Sequence, residues 1–216
     1  MASFHNVAQG EYLSLIAAEY GFSDYMTIWD HPNNAQLKQQ RKNPNVLLPG
    51  DSLFIPDKEQ KQETGATSKR HTFTVKQEKL NLRLVLEDVY EKPIANAQCE
   101  LFIEEQSFQV TTDGQGKIEK EIPNRAQKGI LVIKSDQTPF QDDFFQVKIG
   151  DLDPIDCVSG QCARLNNLGY FAGASNDPND PAFISAAEEF QCDHGLVVDG
   201  KIGPKTQARL KQVHGC

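Results

Sequence analysis

Apolar residues change their spacing twice along the chain, so that three patterns follow one another. In the first, Leu13, Ile16 and Ala17 recur at helical intervals between Tyr12 and Tyr20, and Gly21 supplies a stop. A second helical stretch spans Tyr25 to Gln40, with Ile28, Trp29 and Leu37 on its apolar face and Pro32 as a break. A short strand around His5 to Ala8 precedes these helices, and Leu53 and Ile55 mark a return strand, which predicts a small βααβ unit. The second pattern has period two. Leu80, Leu82, Leu84 and Leu86 face one way, with Asn81, Arg83 and Val85 opposite. Shorter strand-like runs follow at Glu100–Ile103, Ser107–Val110 and Ile130–Ile133, parted by turn signals at Glu91-Lys92-Pro93, Asp113-Gly114-Gln115-Gly116 and Pro123-Asn124. Strands of this length and spacing predict an antiparallel β-sandwich. In the third pattern helical spacing returns with Val158, Cys162, Leu165 and Leu168 before Gly169. A helix over about Ile184 to His194 ends at Gly195, and a further one after Pro204 carries Ala208, Leu210 and Val213.

The joints between these patterns are legible too. Residues 58–69 contain no apolar side chain larger than alanine, so they have nothing to bury and read as a linker. The expected organisation is a multidomain α+β chain: a small domain over 1–57, a linker over 58–70, a sandwich over 71–150 and a three-helix domain over 151–216.

Composition narrows the partners. A net charge of -8 on 216 residues argues against nucleic acid, because holding phosphates takes clustered Lys and Arg, and the one dense basic run, 38–42, is short. The chain has no apolar stretch long enough to cross a bilayer. Residues 1–6 carry neither a basic nor an apolar leader region, so the sequence alone points to a chain that starts in the cytoplasm and reaches any outside target by a non-classical export route. The 5 cysteines leave at least one without an intramolecular partner. A cytoplasmic origin favours thiols, while export would allow pairs such as Cys157–Cys216 and Cys162–Cys192.

The N-terminal pattern resembles the LysM domain. Gln9-Gly10-Glu11-Tyr12-Leu13 matches its opening and Leu48-Pro49-Gly50-Asp51-Ser52-Leu53-Phe54-Ile55-Pro56 its closing motif. The resemblance implies a shallow groove for chains of N-acetylglucosamine, as in peptidoglycan or chitin. Carried over, that groove would be lined by Gln9, Gly10, Glu11, Tyr12, Asn43, Asn45 and Val46. The segment Trp29–Asn34 is longer than the minimal family pattern.

The C-terminal pattern, with Leu165-Asn166-Asn167-Leu168-Gly169-Tyr170, Phe190-Gln191 and Val198-Asp199-Gly200-Lys201-Ile202-Gly203-Pro204-Lys205-Thr206, resembles the helical peptidoglycan-binding domain found beside cell-wall hydrolases. The resemblance implies glycan contacts at Asn166, Asn167, Tyr170, Phe171 and Asp199. Gly200 and Gly203 are expected to permit the tight turns that dock the last helix. Residues 174–181 stand where the family carries another Asp-Gly turn. The middle segment, with Lys92–Ala97 and Thr111–Ile118, looks like a carboxypeptidase-regulatory or Ig-like spacer.

Catalytic chemistry finds little support. Glycan hydrolysis needs two positioned carboxylates, but Glu104-Glu105 and Asp142-Asp143 diverge on strands and Glu188-Glu189 reads as a solvated helix face. The 5 His are scattered, and Cys192 and Cys216 lie in no local signature of a Cys–His nucleophile. Cys192/His194 and His214/Cys216 offer zinc-type ligands at intervals shorter than usual, so no metal and no cofactor are expected. The three-part order, together with Thr27-Ile28-Trp29-Asp30-His31-Pro32, resembles LysM-containing proteins of type VI secretion clusters. The expectation is a non-enzymatic peptidoglycan-binding adaptor, possible partners being spike or effector proteins of that apparatus. The alternatives are a wall hydrolase or toxin with an unrecognised site, and a protein–protein scaffold that has lost the glycan.

Overall fold

In the computed structural model, residues 2–58, 64–65, 67–72, 80–88, 90, 92–134 and 143–215 are described. They divide into two compact units, one of residues 1–45 and 52–151 and one of residues 46–51 and 152–216. Residues 59–63 and 66 of the predicted linker, the turn residue Glu91, Asp142 and Cys216 lie outside the described residues. No helix among the described residues is long and apolar enough to cross a membrane.

The first unit begins with strand β1 (Ser3–Asn6), paired antiparallel to β2 (Ser52–Ile55) with Ser3 opposite Ile55. Helix α1 (Leu13–Glu19) buries Leu13, Ile16 and Ala17, as the spacing requires. The expected second helix is three pieces: α2 (Met26–Trp29), a 3-10 turn (Pro32–Asn34) and α3 (Ala35–Arg41). Proline offers no N–H to continue α2, and the His31 ring accepts a bond from Asn33 N at the restart. Asn34, fully buried, secures the restart. Its amide donates to the carbonyls of Ile28 and Phe54, and its oxygen accepts from Phe54 N, each at 2.8 Å. Ile28, Trp29 and Leu37 are buried, as expected.

Among the described residues the same unit holds two further antiparallel sheets. Strand β3 (Leu80–Val85) pairs with β6 (Lys117–Ile122). A four-stranded sheet runs in the order β5 (Gln106–Thr111), β4 (Gln98–Ile103), β7 (Lys128–Ile133), β8 (Asp143–Lys148). Cys99, Leu101, Ile103, Leu131 and Ile133 from the larger sheet share one core with Ile118 and Ile122 of the smaller, and Leu80, Leu82, Leu84 and Leu86 pack against it. Period-two spacing therefore places the leucines inward and leaves Asn81, Arg83 and Val85 in solvent. Asp113 builds the turn between β5 and β6 by accepting from Gln115 N and Lys117 N, which holds its carboxyl below the usual carboxylate range.

The second unit contains α4 (Val158–Asn167), α5 (Pro181–Asp193) and α6 (Pro204–His214). Cys162, Leu165, Tyr170, Ala172, Phe183, Ala186, Phe190 and Leu210 fill its core. Helix α5 starts three residues before the expected Ile184. Asp180 caps it by accepting from Ala182 N at 2.8 Å, and Pro181 takes the first helical position.

Candidate functional site

The loop between α4 and α5 is built around one asparagine. Asn166, in the last turn of α4, accepts from Ala172 N and donates to Gly173 O, both at 2.7 Å. This clip turns alternate residues in opposite directions. Tyr170 points inward and meets Phe190 edge-on at 5.5 Å, and Ala172 is fully buried. Between them Phe171 stands 89% exposed. An aromatic ring held out by a fixed loop is suited to stacking on an apolar sugar face or a peptide side chain.

A second constellation shapes the turn before α6. Gln191, 1% exposed, accepts from Asp199 N (2.9 Å) and Gly200 N (3.0 Å). Its amide nitrogen reaches Asp199 Oδ1 (2.9 Å), Lys201 O (3.0 Å) and Thr206 Oγ1 (3.2 Å). Bonds from Lys201 N and Gln191 keep the Asp199 carboxyl below its usual range, so it is an anion engaged by its own turn. Gly200 takes φ +66, and a Cβ there would lie 2.8 Å from Ile184 Cγ2. Gly203 differs from expectation: its φ of -75 suits any residue, and it simply precedes Pro204. Val197 and Val198, just ahead of this turn, are exposed.

Asn167 approaches His214 Nε2 of α6 at 3.1 Å. Burial, with the Arg164 guanidinium adding repulsion, holds the His214 ring down at about 4. A depressed base stabilises the fold fully above its ordinary value of 6.5, and that contribution is lost as pH falls through about 4. Solvent reaches the half-buried ring, so the loss should be about 1–2 kcal/mol. Thermal melting at pH 7 and pH 4.5 should show a smaller fall for His214→Gln than for the unchanged protein.

The residues assigned to an N-terminal groove lie as follows. Gln9 is exposed, and its amide reaches Asp151 Oδ1 at 3.4 Å. Gly10 takes φ +82. Glu11 is half-buried and occupied locally, accepting from Ala8 N at 2.7 Å and meeting His5 Nε2 at 2.8 Å. Tyr12 is 1% exposed. Its hydroxyl donates to Ala126 O at 2.7 Å, with Asn124 O at 3.1 Å, and burial followed by the nearby Glu104 charge pushes its pKa up. Asn43 accepts from Asn45 N at 3.0 Å, and Asn45 accepts from Ser14 Oγ at 3.2 Å. Val46 is half-buried and belongs to the second unit.

Cys162 and Cys192 are both thiols, so the conceivable bridge between them is not formed. Cys162 is buried with its Sγ directed at the carbonyls of Ala172 and Ser175, and Cys192 is on the exposed side of α5. His194 Nδ1 lies 3.4 Å from an Arg209 nitrogen, and among the described residues no group of three metal-type ligands converges. Glu104 serves a turn, accepting from Gln127 N and Lys128 N, which lowers its pKa.

Residues 163–210 match the family described as "Putative peptidoglycan binding domain". The match takes in the Asn166 clip, Phe171, Gln191 and the Asp199–Lys201 turn. No curated protein and no solved structure matches the chain. The match supports peptidoglycan as the partner of this segment.

Proposed function

We propose that this chain is a non-enzymatic, peptidoglycan-binding adaptor that holds the polymer through its second unit. The family match of residues 163–210 carries the reading. The fixed, exposed Phe171 within it is the side chain best placed for contact. On this reading Asn166 and Gln191 position the loops, Asp199 and Asn167 belong to the framework, and Phe171 meets the ligand. The N-terminal βααβ arrangement, with its paired β1 and β2, supports a LysM-like module as a second glycan contact. Attachment to spike or effector proteins of a type VI secretion apparatus is the corresponding proposal for the adaptor's other end. It rests on the resemblance of residues 27–32 and of the domain order.

Truncating Phe171 to alanine should weaken retention on purified peptidoglycan sacculi about tenfold, the size of a typical aromatic hot-spot loss, without altering the melting temperature. Unchanged retention would remove Phe171 from the site. Release of soluble muropeptides by the protein alone would favour the hydrolase alternative over the adaptor.

A further inference from the structure

We infer that the first loop of the proposed LysM-like groove, residues 9–12, is latched shut by the β-sandwich of the same chain. This rests on the proposed glycan-binding role of that module. The latch is visible at four points. Tyr12, which the groove would need at its surface, is buried, and its hydroxyl is bound to the carbonyls of Asn124 and Ala126 before β7. Arg125, between those two residues, donates from Nη2 to Ala18 O near the end of α1 at 2.8 Å. Gln9 reaches Asp151 Oδ1 just beyond β8, and Lys148 Nζ holds the other oxygen of that carboxylate at 3.4 Å. Gly150 fits against the loop only because it lacks a side chain. A Cβ there would stand 2.3 Å from Tyr12 Cδ1 and 3.0 Å from Gly10 O. Contacts from one end of the β7–β8 pair, where β7 begins and β8 closes, thus reach this loop and α1. They involve residues more than 100 positions apart in sequence, and the two segments fall into one compact unit.

A ligand that uses residues 9–12 must displace the sandwich first. Its apparent affinity is then reduced by the fraction of molecules in the open form. Loosening the latch from the sandwich side should raise affinity without touching a residue of the groove.

The test titrates the full-length chain with a β-1,4-linked tetramer of N-acetylglucosamine by calorimetry. Hydrogen exchange over residues 9–18 and 123–127 reports on the latch. Arg125→Ala removes one bond and should tighten tetramer binding about fivefold while raising exchange in both segments. Gly150→Ala forces the surfaces apart and should tighten it further. Equal affinity in the unchanged protein and in a variant with raised exchange would overturn the latch and leave the groove intact. Absence of tetramer binding in every form, with exchange raised, would overturn the latch together with the groove. Sacculus retention through residues 163–210 would then still stand or fall separately. If neither variant raises exchange, the contact is a permanent part of the fold and the latch is overturned.

Discussion

Gln191→Leu is expected to lower the stability of the second unit by about 3–4 kcal/mol. Leucine preserves the volume and the helix, so packing alone predicts a small change. The hydrogen bonds decide otherwise. The side-chain oxygen accepts from Asp199 N and Gly200 N, and the amide ties Asp199, Lys201 and Thr206 to α5. Leucine strands both backbone donors, at about 1–3 kcal/mol for each that stays buried. For a unit of this size the melting transition should fall by roughly 15–20 °C in calorimetry. Sacculus retention should fall with it wherever the turn is disordered. A change below about 1 kcal/mol would mean that the turn holds its shape without Gln191.

Gly160→Ala should be nearly as damaging, although helix propensity argues the opposite sign. Alanine in a helix is favoured over glycine by about 1 kcal/mol. Gly160, however, lies in the first turn of α4 beneath residues 153–154, and a Cβ would stand 2.1 Å from Pro154 O and 2.5 Å from Asp153 O. Backbone at that distance must move, and Arg164 is committed to it. The Arg164 guanidinium is buried, and its Nη1 donates to Asp153 O at 2.8 Å and to Gly160 O at 2.7 Å. Bonds from a charged donor contribute about 1.5–3 kcal/mol each, so losing one outweighs the propensity gain. A net destabilisation of about 2–3 kcal/mol in denaturant melting is expected. A stabilised variant would contradict the account of this strap.

Periodicity made most of the element order legible. The leucines of β3 and the apolar positions of α1 and α4 were readable because local spacing alone determines which face they occupy, whereas in α6 only Leu210 of the expected apolar positions is buried, and Ala208 and Val213 are exposed. The start of α5 was also written in the sequence, in Asp180-Pro181, but a reading anchored on apolar side chains begins too late at Ile184. The site was less legible. Tyr12 carries the signature of a groove residue, yet its hydroxyl partners at Asn124 and Ala126 come from a strand approach with no local trace at Tyr12. Gln191 looks like an ordinary polar residue on a helix until Asp199–Thr206 folds back onto it. Phe171 was readable as a candidate, but its exposure depends on Asn166 gripping the two residues that follow it.

The central claim, that the second unit holds peptidoglycan, is met most directly by co-sedimentation of the full-length protein with purified sacculi over a range of protein concentrations. Saturable retention in the pellet, weakened about tenfold by Phe171→Ala, is the predicted result. A protein that stays in the supernatant at every concentration, while melting as a folded chain, would contradict it.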